Sequence, residues 1–452
     1  MAKKKQRYQV PPASKDNVAK GWSNPNTKKL FKQIGIFSIA AQVFFYLLSQ
    51  LGAGYQLFSY MFLSTGRFDD LRNGIVQNKY FFSPELLDIK GFASVASPPM
   101  IFMWRIYEFF VKTESALLVS LIFTFLVLVL VIWLATRDVY ATIFLSTMHP
   151  ILFAFARANP DMWVLIATCV AGIALIRGKN WVVAVMFGLM SALKFPFLLF
   201  GLIFLFRKDF KNLALQGVIT IVAFFIPLFA KPWGLMEQIN VFNTIVARYY
   251  QDYVIGDAGM MFNVSLFGLE KPLLYLLQGD KLVTASQAQD VAIAALTLQL
   301  VSLILISILL LAIPIYHHKR SNKVLSDQLS SSQETDLYLV FFLFLALLEC
   351  LFPQIAAEYR LAQLVVIVAL LFSVKSRFLE NRFNLIILVL VFLPKHFLVI
   401  SFPAGVANIV TISSLISPVL LVILAFRIQK YLSSNGFYSP LLNRIKIPKD
   451  RT

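Results

Sequence analysis

The chain has 452 residues, of which 58% are hydrophobic and only 14% are charged, and its mean hydropathy is +0.73. No soluble globular domain of this length is so apolar, so the composition excludes a soluble enzyme and predicts a polytopic membrane protein. The two cysteines lie inside apolar runs and the four histidines are scattered, which argues against a disulfide framework and a zinc site.

The first 33 residues are polar, basic and interrupted by proline. This composition predicts a cytoplasmic tail without a packed core of its own. The first apolar run, Ile34–Leu51, is too long for a signal-peptide core and no small-residue cleavage site follows it. We therefore expect it to persist as the first membrane span.

A polar loop from 64 to 114 separates this run from all later ones. It carries the adjacent acids Asp69 and Asp70 just past the first hydrophobic segment. Long loops in compact proteins usually bind or catalyse, so we expect this loop to contribute to function. Its stretches around 68–80 and 99–112 predict short amphipathic helices lying in the membrane interface.

The rest of the chain alternates between apolar runs and polar turns, and a second long polar loop covers 231–290. The runs predict an all-α bundle of about 12 transmembrane helices, with a domain over 34–430 and a basic cytoplasmic tail over 431–452. The predicted spans after the first are Ala116–Ala135, Val139–Phe155, Met162–Ile176, two within Trp181–Phe206, Leu213–Ala230, Val291–Tyr316, Leu337–Phe352, Leu361–Val374, Phe383–Ile400 and Ala407–Phe426.

The run Trp181–Phe206 departs from this pattern, because both of its ends are basic. A single crossing would place one basic end outside the cell. The run is interrupted at Lys194-Phe195-Pro196, and proline both removes a backbone donor and disfavours helix before it. We therefore predict a hairpin of two half-depth helices with Lys194 near its outer tip.

The charges of the turns indicate the orientation. With this topology 27 of the 41 Lys and Arg residues, but only 8 of the 23 acids, fall on the side of the two tails. The positive-inside rule then places both termini in the cytoplasm and the loops 64–114 and 231–290 outside. This sorting also accounts for the net charge of +18 without a nucleic-acid partner.

Charged residues at membrane depth are costly and indicate function. Cations occur at four outer span ends or in the loop beside them, where they could hold a phosphate or could extend to lipid headgroups. These cations are Arg157, Lys194, Arg248 and Arg360. A carboxylate at the interface can deprotonate a hydroxyl acceptor, and Asp69 or Asp70 is in that position, although the pair could also only cap a helix.

Candidate sugar- or acceptor-binding residues lie in the same outer segments. They are Asn159, Asp161, Tyr80, Asn263 and Glu358. Two of them leave an alternative open, because Asp161 and Glu358 could instead pair with Arg157 and Arg360. Asn263 begins an N-x-S sequence, which could bind sugar, cap a helix or match a glycosylation sequon by chance.

The stretch from Phe155 to Phe210 resembles the bacterial GT-C glycosyltransferases that use polyprenyl-phosphate mannose. The matching elements, in order, are Ala158-Asn159, Arg177-Gly178-Lys179, Leu193-Lys194-Phe195-Pro196 and Arg207-Lys208. The family's N-Q-S-L element is similar to Asn263-Val264-Ser265-Leu266, with Val where Gln is usual. Its first-loop D-[FL]-x-x-Y is similar to the segment from Asp70 to Gly74, which lacks the Tyr.

The resemblance implies a GT-C-like transmembrane hexosyltransferase in a bacterial plasma membrane, with its active site outside the cytoplasm. The donor would be a polyprenyl-phosphate sugar, with mannose as the implied hexose, and the acceptor a glycan or glycolipid. The first-loop aspartate, for which we favour Asp70 over Asp69, would be the general base of an inverting displacement. Neither a cofactor nor a metal is expected.

Two other classes stay open at this point. A polysaccharide polymerase or ligase also has about twelve spans and large outer loops, although it usually relies on loop arginines rather than a carboxylate. A flippase or transporter would not be an enzyme, and it should show paired broken helices in two halves of the chain. Only one such break, at Lys194-Phe195-Pro196, is evident in the sequence.

Overall fold

The computed structural model of the chain describes residues 97–110, 113–157, 159, 161–229, 233–256, 263–278, 285–320, 331–356, 358–393, 399–401 and 409–444, with position 85 and six positions between 32 and 43. The N-terminal tail, most of the first predicted span and the loop residues Asp69, Asp70 and Tyr80 lie outside this part of the chain. The predicted interfacial helix around 68–80 lies outside it as well.

The described part of the chain is helical apart from one short ribbon. Its first nine helices are α1 (Pro98–Phe110), α2 (Glu114–Thr136), α3 (Val139–Ser146), α4 (His149–Ala156), α5 (Asp161–Ile176), α6 (Asn180–Leu193), α7 (Leu202–Arg207), α8 (Phe210–Phe229) and α9 (Leu235–Tyr249). The rest are α10 (Leu266–Gln278), α11 (Ala285–Arg320), α12 (Ser331–Leu351), α13 (Ala362–Ser373), α14 (Arg377–Glu380), α15 (Arg382–Phe392), α16 (Ile412–Ser434) and α17 (Ser439–Arg444). Short segments of other helix types cover Phe195–Gly201 and Glu358–Leu361 (3-10) and Tyr250–Ile255 (π).

Helices α12 and α13 form the centre of the bundle. The side chains from Leu337 to Leu347 on α12 and every side chain from 362 to 372 on α13 are buried. A helix that is apolar around its whole circumference must be enclosed by other helices. Here α12 and α13 pack against each other, α16 packs on α12, and α2 and α5 pack on α13.

The outer helices carry the opposite pattern, with large apolar side chains exposed on their outer faces. Examples are Phe123 on α2, Ile221 on α8 and Leu300 on α11. Four helical stretches are long and apolar enough to cross a bilayer: Ser115–Thr136, Phe210–Phe229, Gln289–Lys319 and Ser413–Ser434. The exposed faces are therefore the surfaces that lipid would cover, as in a membrane protein.

Helix length does not confirm the predicted count of twelve crossings. Five further apolar helical stretches in the described residues have only 10–17 residues, among them α5, α6 and α13. At 1.5 Å per residue, the 12 residues of α13 span about 18 Å, less than the roughly 30 Å of a bilayer core. Such a helix is tolerated because its ends are buried against protein rather than exposed to lipid.

The hairpin predicted within 181–206 is confirmed as a reversal of the chain. Helix α6 ends at Leu193, Lys194 is extended, and the chain returns through the 3-10 turn and α7. Asn180, at the start of α6, accepts a hydrogen bond from Arg207 (2.7 Å) and donates one to Asp209 (3.0 Å). The two basic ends of the run therefore meet at the base of the hairpin.

Two predicted spans are shorter than expected. The segment Val139–Phe155 is not one helix, because it divides into α3 and α4 at Thr147–Met148, just before Pro150. Helix α15 ends at Phe392 rather than Ile400, since Leu393 precedes Pro394 and adopts an extended conformation. The residues 399–401 then form an antiparallel ribbon with 409–411, at the predicted start of the last span. The predicted helix around 99–112 is present as α1.

Candidate active site

The turn between α4 and α5 places a carboxylate at the start of a buried helix. The Asn159 Oδ1 atom accepts a hydrogen bond from the Asp161 backbone N–H (2.9 Å), which caps α5. Asp161 follows in the first turn, where the helix dipole favours a negative charge, and its side chain has no exposed surface. Asn159 is also buried, so this turn is fixed inside the protein.

The break between α6 and the following 3-10 turn supplies the partner of this acid. Lys194 caps the C-terminus of α6, where the helix dipole favours a cation. Its ammonium forms an ion pair with Asp161 Oδ1, and its side chain is 14% exposed. Apart from this ion pair, neither carboxylate oxygen of Asp161 has a hydrogen-bond partner among the described residues.

A second ion pair joins α12 to the 3-10 turn after it. The Arg360 Nη1 atom donates to Glu349 Oε1 at 3.0 Å. The Glu349 side chain is fully buried, whereas that of Arg360 is 16% exposed. The Cys350 thiol lies 3.9 Å from the other Glu349 oxygen, Oε2.

The two ion pairs belong to one cluster. Glu349 interacts electrostatically not only with Arg360 but also with Lys194 and Asp161. The four charges sum to zero, both acids are fully buried, and both cations keep an exposed fraction. This arrangement holds two partly exposed cations within electrostatic range of the same buried acid, Glu349, and such cations can bind the oxygens of an anionic ligand. We call these four residues the ion-pair cluster.

Two further sequence-predicted cations lie on elements near the cluster. Helix α4, which Arg157 caps, packs against the 3-10 turn that begins at Glu358 and carries Arg360. Arg157 itself is half-buried. Arg248 is half-buried in the last turn of α9, one residue before Tyr249.

Tyr249 lies within electrostatic range of Arg360, which places the end of α9 beside the ion-pair cluster. Burial raises the pKa of its phenol to about 12, against the opposing effect of the Arg360 charge. Its ring stacks on that of Tyr253, with ring centroids 4.5 Å apart. The π-helical turn that contains Tyr253 ends at carbonyl groups bound by the ammonium of Lys271, a fully buried lysine on α10.

Asn263 holds the segment before α10 against the turn that follows α12. Its Nδ2 donates to the Gln354 carbonyl (2.6 Å), and its Oδ1 accepts from the backbone N–H groups of Ala356 (2.9 Å) and Ser265 (3.1 Å). The Val264 N–H donates to the Ala356 carbonyl at 2.8 Å. In this state the Asn263 amide is engaged by backbone, and its role in sugar binding stays a prediction.

Comparison with known protein families identifies the family of this chain. The sequence profile of glycosyltransferase family 87 matches residues 97–327, just over half of the chain. The chain belongs to glycosyltransferase family 87. A search of curated proteins and one of solved structures returned no match. Membership of family 87 makes the protein a glycosyltransferase that acts on a sugar donor and an acceptor, and its apolar helices make it a membrane protein.

The family 87 match contains three of the four predicted cations and both Asn159 and Asp161, whereas Arg360 lies beyond it. The structure brings Asp161, Lys194 and Arg360 into one cluster. Asp69, Asp70 and Tyr80 lie outside the described residues, so their roles stay predictions. Among the described residues, no group of three or more His, Cys, Asp or Glu side chains could hold a metal ion.

Sequence reasoning missed Glu349 and assigned the ion-pair partners incompletely. The sequence leaves open a pair of Asp161 with Arg157, whereas in the structure Asp161 forms an ion pair with Lys194. Arg360 pairs with Glu349, which precedes it by eleven residues. The side chain of Glu358 lies outside the described part of the structure, so its roles in sugar binding or in pairing with Arg360 stay predictions. A signal was available, because Glu349 is an acid within an apolar run, and such residues indicate function in membrane segments.

Proposed function

We propose that this family 87 glycosyltransferase transfers a hexose from a polyprenyl-phosphate-linked donor to an extracytoplasmic glycan or glycolipid acceptor. The hexose that the sequence resemblance implies is mannose. The observation that carries the proposal is the ion-pair cluster. Its two cations retain exposed surface while both partner acids are fully buried. A phosphate at the membrane surface is an anion that such a pair of cations is suited to bind.

The donor class also agrees with what the chain contains. A polyprenyl chain needs an apolar surface within the membrane, and the outer helices offer such surfaces. The family 87 match favours a glycosyltransferase over a flippase. We include in the proposal a plasma-membrane bundle of twelve spans, with both termini in the cytoplasm and the ion-pair cluster at its outer side.

The proposed reaction is a direct displacement at the anomeric carbon of the donor. Asp70 accepts the proton of the acceptor hydroxyl, whose oxygen forms the new bond to the anomeric carbon. The bond from that carbon to the phosphate oxygen breaks, and polyprenyl phosphate leaves with the bonding electron pair. Lys194 and Arg360 stabilise the charge that grows on this phosphate, while Asp69 supports the base or contacts a sugar hydroxyl.

The proposal is tested with membranes that contain the protein and with radiolabelled polyprenyl-phosphate mannose. Wild-type membranes should transfer label, and Asp70→Asn should reduce the rate by about 10²–10⁴-fold while donor binding is retained, as expected for loss of a general base. Asp69→Asn is the matched control and should lose much less.

Three results would separate the alternatives. Transfer of label from a nucleotide sugar but not from the lipid donor would refute the donor class. An inactive Asp69→Asn variant together with an active Asp70→Asn variant would assign the general base to Asp69. Full activity of both variants would exclude both aspartates as the general base and would favour a polymerase-type mechanism.

A further inference from the structure

Glu349 occupies a position that the local helix energetics disfavour. It lies in the last turn of α12, where the carbonyl groups give the helix end a partial negative charge. Its carboxylate is also fully buried at the end of an apolar run, where an unpaired charge is costly.

Its partner comes from the turn that follows the helix. Arg360 lies two residues before α13, in the 3-10 turn Glu358–Leu361, and its guanidinium reaches back to the Glu349 carboxylate at the end of α12. The other pair of the cluster shows the opposite arrangement, because Asp161 begins a helix and Lys194 ends one. Capping and helix dipoles therefore explain the positions of Asp161 and Lys194, whereas they disfavour the carboxylate of Glu349 at the carbonyl end of α12.

Sites that break local rules without a local gain are often functional. We propose that Glu349 is a positioning residue that acts through Arg360: it orients the guanidinium towards the donor phosphate, and its negative charge limits the affinity of the cluster for that phosphate. This inference rests on the proposed function, since it names a further residue of the same phosphate site.

The charge balance of the cluster explains why a limit on affinity is useful. In the proposed reaction the donor carries a phosphodiester and the product a phosphomonoester, so the bound phosphate gains negative charge when the sugar leaves. A cluster with unopposed cations would bind the product more tightly than the donor and would retain it. The buried carboxylate of Glu349 offsets the charge of Arg360, so the cluster can stabilise the leaving phosphate and still release it.

The two functions of Glu349 are separated by two conservative variants. Glu349→Gln keeps an oxygen that can accept from Arg360 Nη1 at the present 3.0 Å but removes the negative charge. Glu349→Asp keeps the charge but shortens the side chain by one methylene, so the carboxylate no longer reaches the guanidinium in the same geometry. Glu334→Gln, on the first turn of the same helix, is the matched control.

Farnesyl phosphate is the binding probe, with farnesol as the uncharged comparison, and the purified full-length protein in detergent is used. We expect Glu349→Gln to bind farnesyl phosphate on the order of tenfold more tightly, because one opposing charge near the phosphate is removed. Glu349→Asp should bind it on the order of tenfold more weakly, and Glu334→Gln should match the wild type. In turnover, Glu349→Gln should lower the donor KM and kcat together, since product release slows.

Opposite changes in affinity would not arise from a residue that only supports the fold. Equal affinities for wild type and Glu349→Gln, or weaker binding by the Gln variant, would overturn the inference and leave the proposed donor site intact. A wild-type protein that binds farnesyl phosphate no better than farnesol would instead refute the proposed donor site and the inference with it. If Glu349→Asp does not fold, the affinity of Glu349→Gln decides the question alone.

Discussion

Removal of the Lys194 ammonium should affect both the stability of the bundle and its interaction with the donor. The variant Lys194→Met keeps a long apolar side chain but leaves Asp161 as a buried carboxylate, because no other described residue hydrogen-bonds to its oxygens. Loss of one partner of a buried ion pair costs about 3–5 kcal/mol. That is a large fraction of the roughly 5–15 kcal/mol that keeps a typical protein folded.

A second substitution separates this cost from the functional one. In the double variant Lys194→Met/Asp161→Asn the buried group is neutral, so most of the lost stability should return. The donor phosphate would still lack a charge-assisted contact of about 1.5–3 kcal/mol, which corresponds to a roughly ten- to hundredfold rise in the donor KM or fall in turnover. The matched control is Lys211→Met, which removes an exposed lysine at the start of α8.

Stability is measured as the fraction of protein that stays monodisperse after heating in detergent, and donor kinetics are measured in membranes. We expect the single variant to be unstable and the double variant to be stable but poor in donor use. A single variant as stable as wild type would show that Asp161 has another partner or is neutral. A double variant with normal donor kinetics would make Lys194 a structural residue, and the phosphate site would have to be sought elsewhere.

Three further predictions concern topology and packing. In intact cells, an impermeant maleimide should label Gln278→Cys and not Ser330→Cys, because the charge pattern places only position 278 outside. Both native cysteines are buried and should give no background labelling. Labelling of Ser330→Cys would overturn the orientation. Gly188→Ala should destabilise the α6–α8 contact by about 1–3 kcal/mol in a thermal melt, since the added Cβ would lie 2.7 Å from Ile219. An unchanged melting temperature would mean that the two helices can move apart to accept the methyl group. Lys271→Met removes the ammonium that donates to the carbonyl groups at the end of the π-helical turn, and it should lower the melting temperature more than Gly188→Ala does. An equal or smaller effect would indicate that water replaces the ammonium.

The sequence determined the features that depend on local chain chemistry. The reversal at Lys194 follows from Pro196, which lacks a backbone donor, and from the basic residues at both ends of the run. The membrane class follows from composition, since so apolar a chain cannot be soluble. The resemblance of 155–210 pointed to a membrane glycosyltransferase, and the match to family 87 confirms that class.

Only the tertiary structure decided which charges meet. Arg360 pairs with Glu349, eleven residues earlier in the chain, because the turn after α12 brings the guanidinium back to the end of that helix. Lys194 and Asp161 are joined because α5 and α6 pack side by side, a contact between residues that are far apart in the chain. Apolar runs likewise do not reveal whether a helix faces lipid or protein, since both surroundings favour the same residues. The short buried helix α13 is therefore indistinguishable in sequence from a full crossing.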